Sequence, residues 1–171
     1  MKKFVPAGKG EKRIGPDLVL IRKAEAADSA AVSGCLEAAF APYREQYTPE
    51  AYADTVPNAD GVLGRMREMN VQVAVSNGTV VGTLAYTVNG REGHLRGMAV
   101  LPLWQGTGVA SDLLAAVETE LQNSGCNSIT LDTTEPLRSA IRLYENRGYT
   151  RSGRAADFFG MPLYEYRKLL L

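Results

Sequence analysis

The stretch Gln105-Gly106-Thr107-Gly108-Val109-Ala110 decides how this chain is read, because it joins an apolar, strand-like segment directly to the start of an amphipathic helix. Before it, residues 95–101 run into Pro102; behind it, Val109, Leu113, Val117 and Leu121 recur every four residues, as one face of a helix does. Glycine at 106 and 108 lets the backbone take φ > 0 without a Cβ penalty and come close to a ligand. The first N–H groups of a helix have no intrahelical partner, and together with the positive end of the helix dipole they favour a phosphate or pyrophosphate. A tight turn needs two glycines equally, so the pair alone leaves both readings open.

Upstream, residues 18–22 form a short apolar strand candidate, followed by Asp28 as N-cap of a helix with Val32, Cys35, Leu36, Ala39 and Phe40 inward and Pro42 at its end. Residues 43–70 are less regular, with helix starts at Thr48-Pro49-Glu50 and Asp60-Gly61. The segments 71–75 and 79–88 flank Asn77-Gly78, a two-residue hairpin signal because both positions tolerate φ > 0. Asn89-Gly90 then turns the chain into a third strand at 93–101. Downstream of the 109–122 helix, Ser124-Gly125 is a stop signal and 128–132 the next strand. A helix opening at Thr134-Glu135-Pro136 carries Leu137, Ala140, Ile141 and Tyr144 on one face and ends before Gly148. Two more strands, at 149–154 and 163–169, complete the order. The expected fold is α/β of the α+β kind: a mixed, mostly antiparallel central sheet of about seven strands flanked by helices, with one parallel step through the 109–122 helix.

Composition limits the alternatives. At 171 residues, 45% hydrophobic and 22% charged, the chain suits one globular domain, read as 18–171 behind a flexible 1–17 tail containing Pro6, Gly8, Gly10, Gly15 and Pro16. Nineteen basic residues balance nineteen acidic ones, so no overall field recruits nucleic acid or an anionic membrane, and any anion must be bound locally. Residues 1–17 lack the apolar core of a secretory signal, and no run of about 18 apolar residues spans a bilayer. Cys35 and Cys126 have no metal-ligand spacing and are too few for a disulfide scaffold; a reducing, cytoplasmic setting without a metal is the expectation.

The element order with Gln105, Gly108 and Ala110 resembles the GNAT superfamily of acetyl-CoA-dependent N-acetyltransferases. Its signature is Gln or Arg, two variable residues, Gly, one variable residue, then Gly or Ala. Leu95-Arg96-Gly97-Met98-Ala99-Val100-Leu101-Pro102 is similar to the strand that leads into that motif, and Ala140 to Tyr149 is similar to the family's later helix ending in Gly and an aromatic. The resemblance covers about 18–170. It implies that backbone amides of Gln105, Gly106, Thr107, Gly108, Val109 and Ala110 hold the coenzyme A pyrophosphate. Met98, Ala99 and Val100 would pair with the pantetheine arm as an added strand would. It also implies a bulge that splays this strand from the next to open the acyl slot. Thr134 stands where many relatives have Asn against the coenzyme, and a hydroxyl lacks the reach of an amide.

The implied reaction is direct attack of a primary amine on the thioester in a ternary complex, which needs a deprotonated amine, an oxyanion donor and a proton for the leaving thiolate. By resemblance Tyr144 is the general acid, also contacting the coenzyme, and the Met98 N–H is the oxyanion donor. His94, the only histidine, has a residue type suited to taking the ammonium proton; Glu92 and Glu45 are weaker candidates. Phe40, Tyr43, Tyr47 and Tyr52, with Glu45, Glu50 and Asp54 nearby, suggest an acceptor wall for a cationic or aromatic amine, although the same rings would pack two short helices. Trp104 reads as packing beside the turn. The acceptor is expected to be a small-molecule or peptide amine. A non-catalytic acyl-CoA sensor and a protein N-terminal acetyltransferase are the alternatives. A homodimer through an exposed strand edge near Tyr164 and Tyr166 is a further expectation.

Overall fold

The computed structural model describes residues 11–14 and 17–171. Its first secure feature is the hairpin at Asn77-Gly78, where φ values of 48° and 77° permit a two-residue turn between β3 (Asn70–Ser76) and β4 (Thr79–Asn89). A second tight turn, with Gly90 at φ 58°, leads into β5 (Glu92–Val100). On the other side β3 pairs with β2 (Asp17–Lys23), which pairs in turn with β1 (Glu11–Ile14). Part of the segment expected to be a flexible tail is therefore an edge strand, formed because Glu11–Ile14 finds the open side of β2; residues 1–10 lie outside the described residues.

After β5 the chain crosses through α4 (Val109–Asn123) to β6 (Ser128–Thr133), which pairs parallel to β5, while every other neighbouring pair is antiparallel. Strands β7 (Thr150–Phe158) and β8 (Met161–Leu169) follow α5 (Arg138–Asn146), giving the eight-stranded order β1-β2-β3-β4-β5-β6-β8-β7. The last strand thus inserts between β6 and β7. Tyr164 and Tyr166 consequently do not sit on an open edge: the Arg151 guanidinium lies 4.2 Å from the Tyr164 ring centre, and Tyr166 is 2% exposed. The edge strand at this end is β7.

Both faces of the sheet are covered. Helix α4 places Val109, Leu113, Leu114, Val117 and Leu121 against Ala74, Val81, Leu84 and Leu95. Helices α1 (Ser29–Phe40), α2 (Pro49–Thr55) and α3 (Ala59–Glu68) cover the opposite face, where Val32, Leu36, Ala51 and Val62 meet Val73, Val80 and Ala99. Neighbours Val73 and Ala74, or Val80 and Val81, serve opposite cores, as alternating strand side chains must. Strand β4 is buried on both faces, which explains its unbroken apolar run from Val80 to Tyr86 apart from Gly82 and Thr83.

Helix ends show where local signals were read correctly and where they were not. Thr48 and Asn58 cap α2 and α3 by accepting from the Ala51 and Gly61 N–H groups, so α3 starts before Asp60. Asp28 flanks α1 as expected but makes no side-chain cap. Both Nη atoms of Arg22 donate to its carboxylate at 2.7 and 3.0 Å, as does the Glu25 N–H at 2.7 Å. The Arg22 hydrogen bond holds the Asp28 carboxyl below its ordinary range. Helix α5 begins at Arg138, not Thr134, because Thr134 to Leu137 form a separate turn closed by the Leu137 N–H on the Thr134 carbonyl. Among the described residues no helix is long and apolar enough to cross a membrane, and both cysteines are buried and free.

Candidate active site

Strand β5 changes partners halfway along. From Glu92 to Leu95 it is held on both sides, by β4 and by β6 in the register Glu92↔Ser128 to Leu95↔Leu131. Beyond Leu95 the pairing with β6 stops, and on the β4 side the register shifts, with Thr83↔Ala99 followed by Ala85↔Arg96. Leu84 alone therefore faces Gly97 and Met98, a bulge with one extra residue on β5. Gly97 sits at φ 67°, where a side chain would be strained, and an added Cβ would lie 3.0 Å from Arg65 Nη1. The bulge bends β5 away from β6 and opens a cleft of about 1070 Å³.

The start of α4 forms one wall of this cleft. Gly108 is its N-cap at φ 95°, Gly106 is at φ 75°, and the first helical bond runs from the Asp112 N–H to the Gly108 carbonyl at 3.0 Å. The Gln105 and Thr107 N–H groups donate within the turn, to the Pro102 and Trp104 carbonyls, and the Thr107 hydroxyl also donates to Trp104. Gln105, Gly106, Gly108, Val109 and Ala110 line the cleft, whereas Thr107 does not. The Gln105 side chain donates to the Val100 carbonyl at 3.0 Å, tying the loop to the end of β5.

The polar side chains divide between the two ends. Met98, Ala99, Val100, Thr134 and Tyr144 line the cleft together with the α4 start. Tyr144 is 7% exposed and packs edge-on to Tyr149, with ring centres 5.9 Å apart; burial pushes its phenol pKa far above the ordinary value, so it keeps its proton. Tyr149 is fixed in turn by donating to Glu118 at 3.0 Å, and Glu118 also accepts from Lys168 at 3.0 Å. Thr134 is buried and shares a 2.8 Å hydrogen bond with the Tyr47 hydroxyl, which ties the coenzyme-side position expected from the motif to the acceptor-side aromatics.

His94 stands at the fork itself. Its Nδ1 is 2.8 Å from the Thr130 hydroxyl and its Nε2 is 3.4 Å from Asp132 Oδ2, and both His94 and Asp132 line the cleft. Burial raises the Asp132 pKa, partly opposed by His94, making this carboxylate a better proton acceptor than an exposed one. Glu92 and Glu45 are elsewhere: Glu92 faces Arg167 at the paired end of β5, and Glu45 borders a separate small hollow. Phe40, Tyr43 and Tyr47 do wall the cleft, as does Trp104, whereas the Tyr52 hydroxyl is buried behind Tyr47.

Sequence reasoning missed Asp132, Arg65 and Arg96. Arg96 pairs with Asp54, and Arg65 reaches the cleft from α3. A charge followed by glycine inside an apolar strand, Arg96-Gly97, was the available signal for a bulge. No pattern in the sequence assigned Arg65, because only the packing of α3 on the sheet brings it to Gly97.

Known proteins resemble this chain in sequence and in fold. The chain is 36% identical over 80 residues to the aminoglycoside N(6')-acetyltransferase type 1 of Stenotrophomonas maltophilia, covering 44% of this chain and 52% of that one. It is 31% identical over 101 residues to the aminoalkylphosphonate N-acetyltransferase of Salmonella typhimurium, covering 54% and 66%. The chain thus spans about half to two thirds of the length of these curated relatives. The crystal structure of the PaiA N-acetyltransferase from Thermoplasma acidophilum in complex with coenzyme A superimposes with a TM-score of 0.76 at 14% identity, covering 89% of this chain and 99% of that one, a likeness of fold. The sequence model of the Acetyltransferase (GNAT) family matches residues 33–149, well over half of the chain, and the protein belongs to that family.

Proposed function

We propose that the protein is an N-acetyltransferase that moves the acetyl group of acetyl-CoA to a primary amine by direct attack. The observation that carries this reading is the bulge at Gly97 and Met98: neither residue has a register partner on β4 or β6, and both face the cleft beside the α4 N-terminus. A strand with an open side satisfies the amides of a pantetheine arm, and a helix start satisfies a pyrophosphate. The solved relative with coenzyme A adds support from the same fold.

In this reading Gly106, Gly108, Val109 and Ala110 supply the phosphate-facing amides, Gln105 and Thr107 shape the turn, and Met98 to Val100 receive the arm. The Met98 N–H stabilises the oxyanion as the amine nitrogen bonds to the carbonyl carbon. The His94–Asp132 pair takes the ammonium proton. As the C–S bond breaks, Tyr144, protonated in its buried position, gives its proton to the sulfur, and the proton that the new amide nitrogen sheds returns the phenol to its neutral form. Thr134, held by Tyr47, closes the slot at the level of the acyl group.

Calorimetric titration with acetyl-CoA, with NAD as control, tests the binding half. Saturable binding of acetyl-CoA alone is expected, followed by thiol release when an acceptor amine is added. Absence of binding by folded protein overturns the reading. Tight binding with no thiol release from any amine instead identifies a binding-only sensor.

A further inference from the structure

Beyond the coenzyme half of the cleft, we infer that the acceptor carries a negatively charged oxyanion, a carboxylate or phosphonate, one or two carbons from the amine, and that Arg65 binds it. The inference rests on the transferase reading and narrows its substrate class. Helix α3 brings Arg65 to the cleft wall at the bulge, with Nη1 only 3.0 Å from where a Cβ on Gly97 would lie. Met98, the residue proposed to hold the carbonyl, is one residue further along, a spacing of about 3.8 Å between Cα atoms. An anion on Arg65 therefore lies a short way from the reacting nitrogen.

The opposite charge that acts on this guanidinium, the Asp54 carboxylate, is shared with Arg96. Asp54 serves two arginines differently: its carboxylate takes Arg96, while its backbone carbonyl accepts from Arg65 Nη2 at 3.0 Å. Asp132 is committed to His94, and Glu68 stands exposed at the rim. Among the described residues Arg65 has no ion pair. Its pKa is lowered first by burial and then by Arg96, against an upward pull from Asp54, and the guanidinium remains charged. A half-buried cation beside a second cation, on the wall of an open cleft, is a receptor for an oxyanion in a charge-assisted hydrogen bond. Of the acidic residues expected beside the aromatic wall, Asp54 lines the cleft with Phe40, Tyr43 and Tyr47, whereas Glu45 borders a separate hollow; an anion subsite at Arg65 adds to the amine site expected there.

Matched amines test this with the wild-type protein: β-alanine, 2-aminoethylphosphonate and neutral β-alaninamide, each titrated into protein saturated with coenzyme A and each assayed for thiol release with acetyl-CoA. Binding and kcat/KM favouring the anionic amines by roughly 10- to 100-fold over the amide are expected, the range for a charged hydrogen bond. The carboxylate and phosphonate arms show which oxyanion fits better. Arg65→Gln should collapse the preference and Arg65→Lys, which keeps the charge but loses the planar guanidinium, should retain part of it; circular dichroism melting checks that each variant is folded. Equal affinity for the amide, or a preference that survives Arg65→Gln, overturns the anion subsite while leaving the transferase reading standing. No acetyl-CoA binding by folded wild-type protein removes both.

Discussion

The two halves of β5 belong to one strand and do opposite work. Residues 92–95 lie between β4 and β6 under α4, so close that a Cβ on Gly93 would come within 2.5 Å of Leu121 Cδ1. Residues 96–100 keep β4 on one side only and carry the left-handed Gly97. Each half depends on a glycine, for different reasons: Gly93 removes volume from a packed interface, whereas Gly97 permits a backbone conformation. The closed half fixes the sheet, and the same strand then offers unpaired backbone to a ligand without an unsupported loop.

The largest effect expected on either half is in the closed one. Leu121→Ala removes a fully buried side chain under Gly93 and should cost about 2–5 kcal/mol in denaturant unfolding, with acetyl-CoA affinity nearly unchanged in the folded fraction. If affinity fell while stability held, the halves would not be separable. Tyr144→Phe should do the reverse, lowering kcat by about 100-fold, equivalent to about 2.7 kcal/mol, and shifting the melting temperature little. Unchanged turnover would remove Tyr144 as the acid.

Gly97→Ala should cost about 1–2 kcal/mol because it forces a side chain into the left-handed region, and the Arg65 guanidinium must also shift. Its loss of transfer activity should exceed that of Gly90→Ala, another left-handed glycine, but in an exposed turn away from the cleft. Equal losses would mean the bulge matters only as structure. The smallest effect belongs to Asp132 at the fork. Because its folded pKa is raised, its contribution to stability is complete below the unfolded carboxylate pKa and falls as pH rises through the folded value. Asp132→Asn should therefore be neutral or stabilising by under about 1 kcal/mol at neutral pH, given its partial exposure, with wild type regaining ground on acidification. The same variant should slow transfer most near neutral pH, where the wild-type carboxylate is ionised and the amine still carries its proton, and the two should converge on acidification as Asp132 itself protonates; pH–rate profiles beside urea melts check both signs.

Sequence made the closed half easier to read than the open one. Periodicity in α4, the Asn77-Gly78 turn and the continuous apolar run of β4 are local consequences of burial, so the strand and helix order followed from them. The turn and helix start proposed as an anion cradle were also legible, because left-handed glycines and a helix start are adjacent in sequence. Which of its amides remain for a ligand was not, since that depends on the Pro102 and Trp104 carbonyls taking the Gln105 and Thr107 donors. Asp28 does hold the N-cap position of α1, but what its carboxylate binds was hidden for a related reason: it meets an arginine across the β2–α1 junction. Asp132 and Arg65 required the register of β5 on β6 and the packing of α3, both long-range relations that no window of sequence contains. The placement of β8 inside the sheet was equally hidden, because hairpin neighbours β7 and β8 could have been added in either order.

Acetyl-CoA is expected to occupy the open half of β5 and the start of α4. Backbone amide spectra of isotopically labelled protein titrated with acetyl-CoA test this residue by residue. Saturable shifts are expected at Met98, Ala99, Gly106, Gly108, Val109 and Ala110, with Gly93, His94 and Leu95 changing far less. Shifts absent at saturating ligand, or concentrated on β7 and β8 while the fork stays silent, would contradict it.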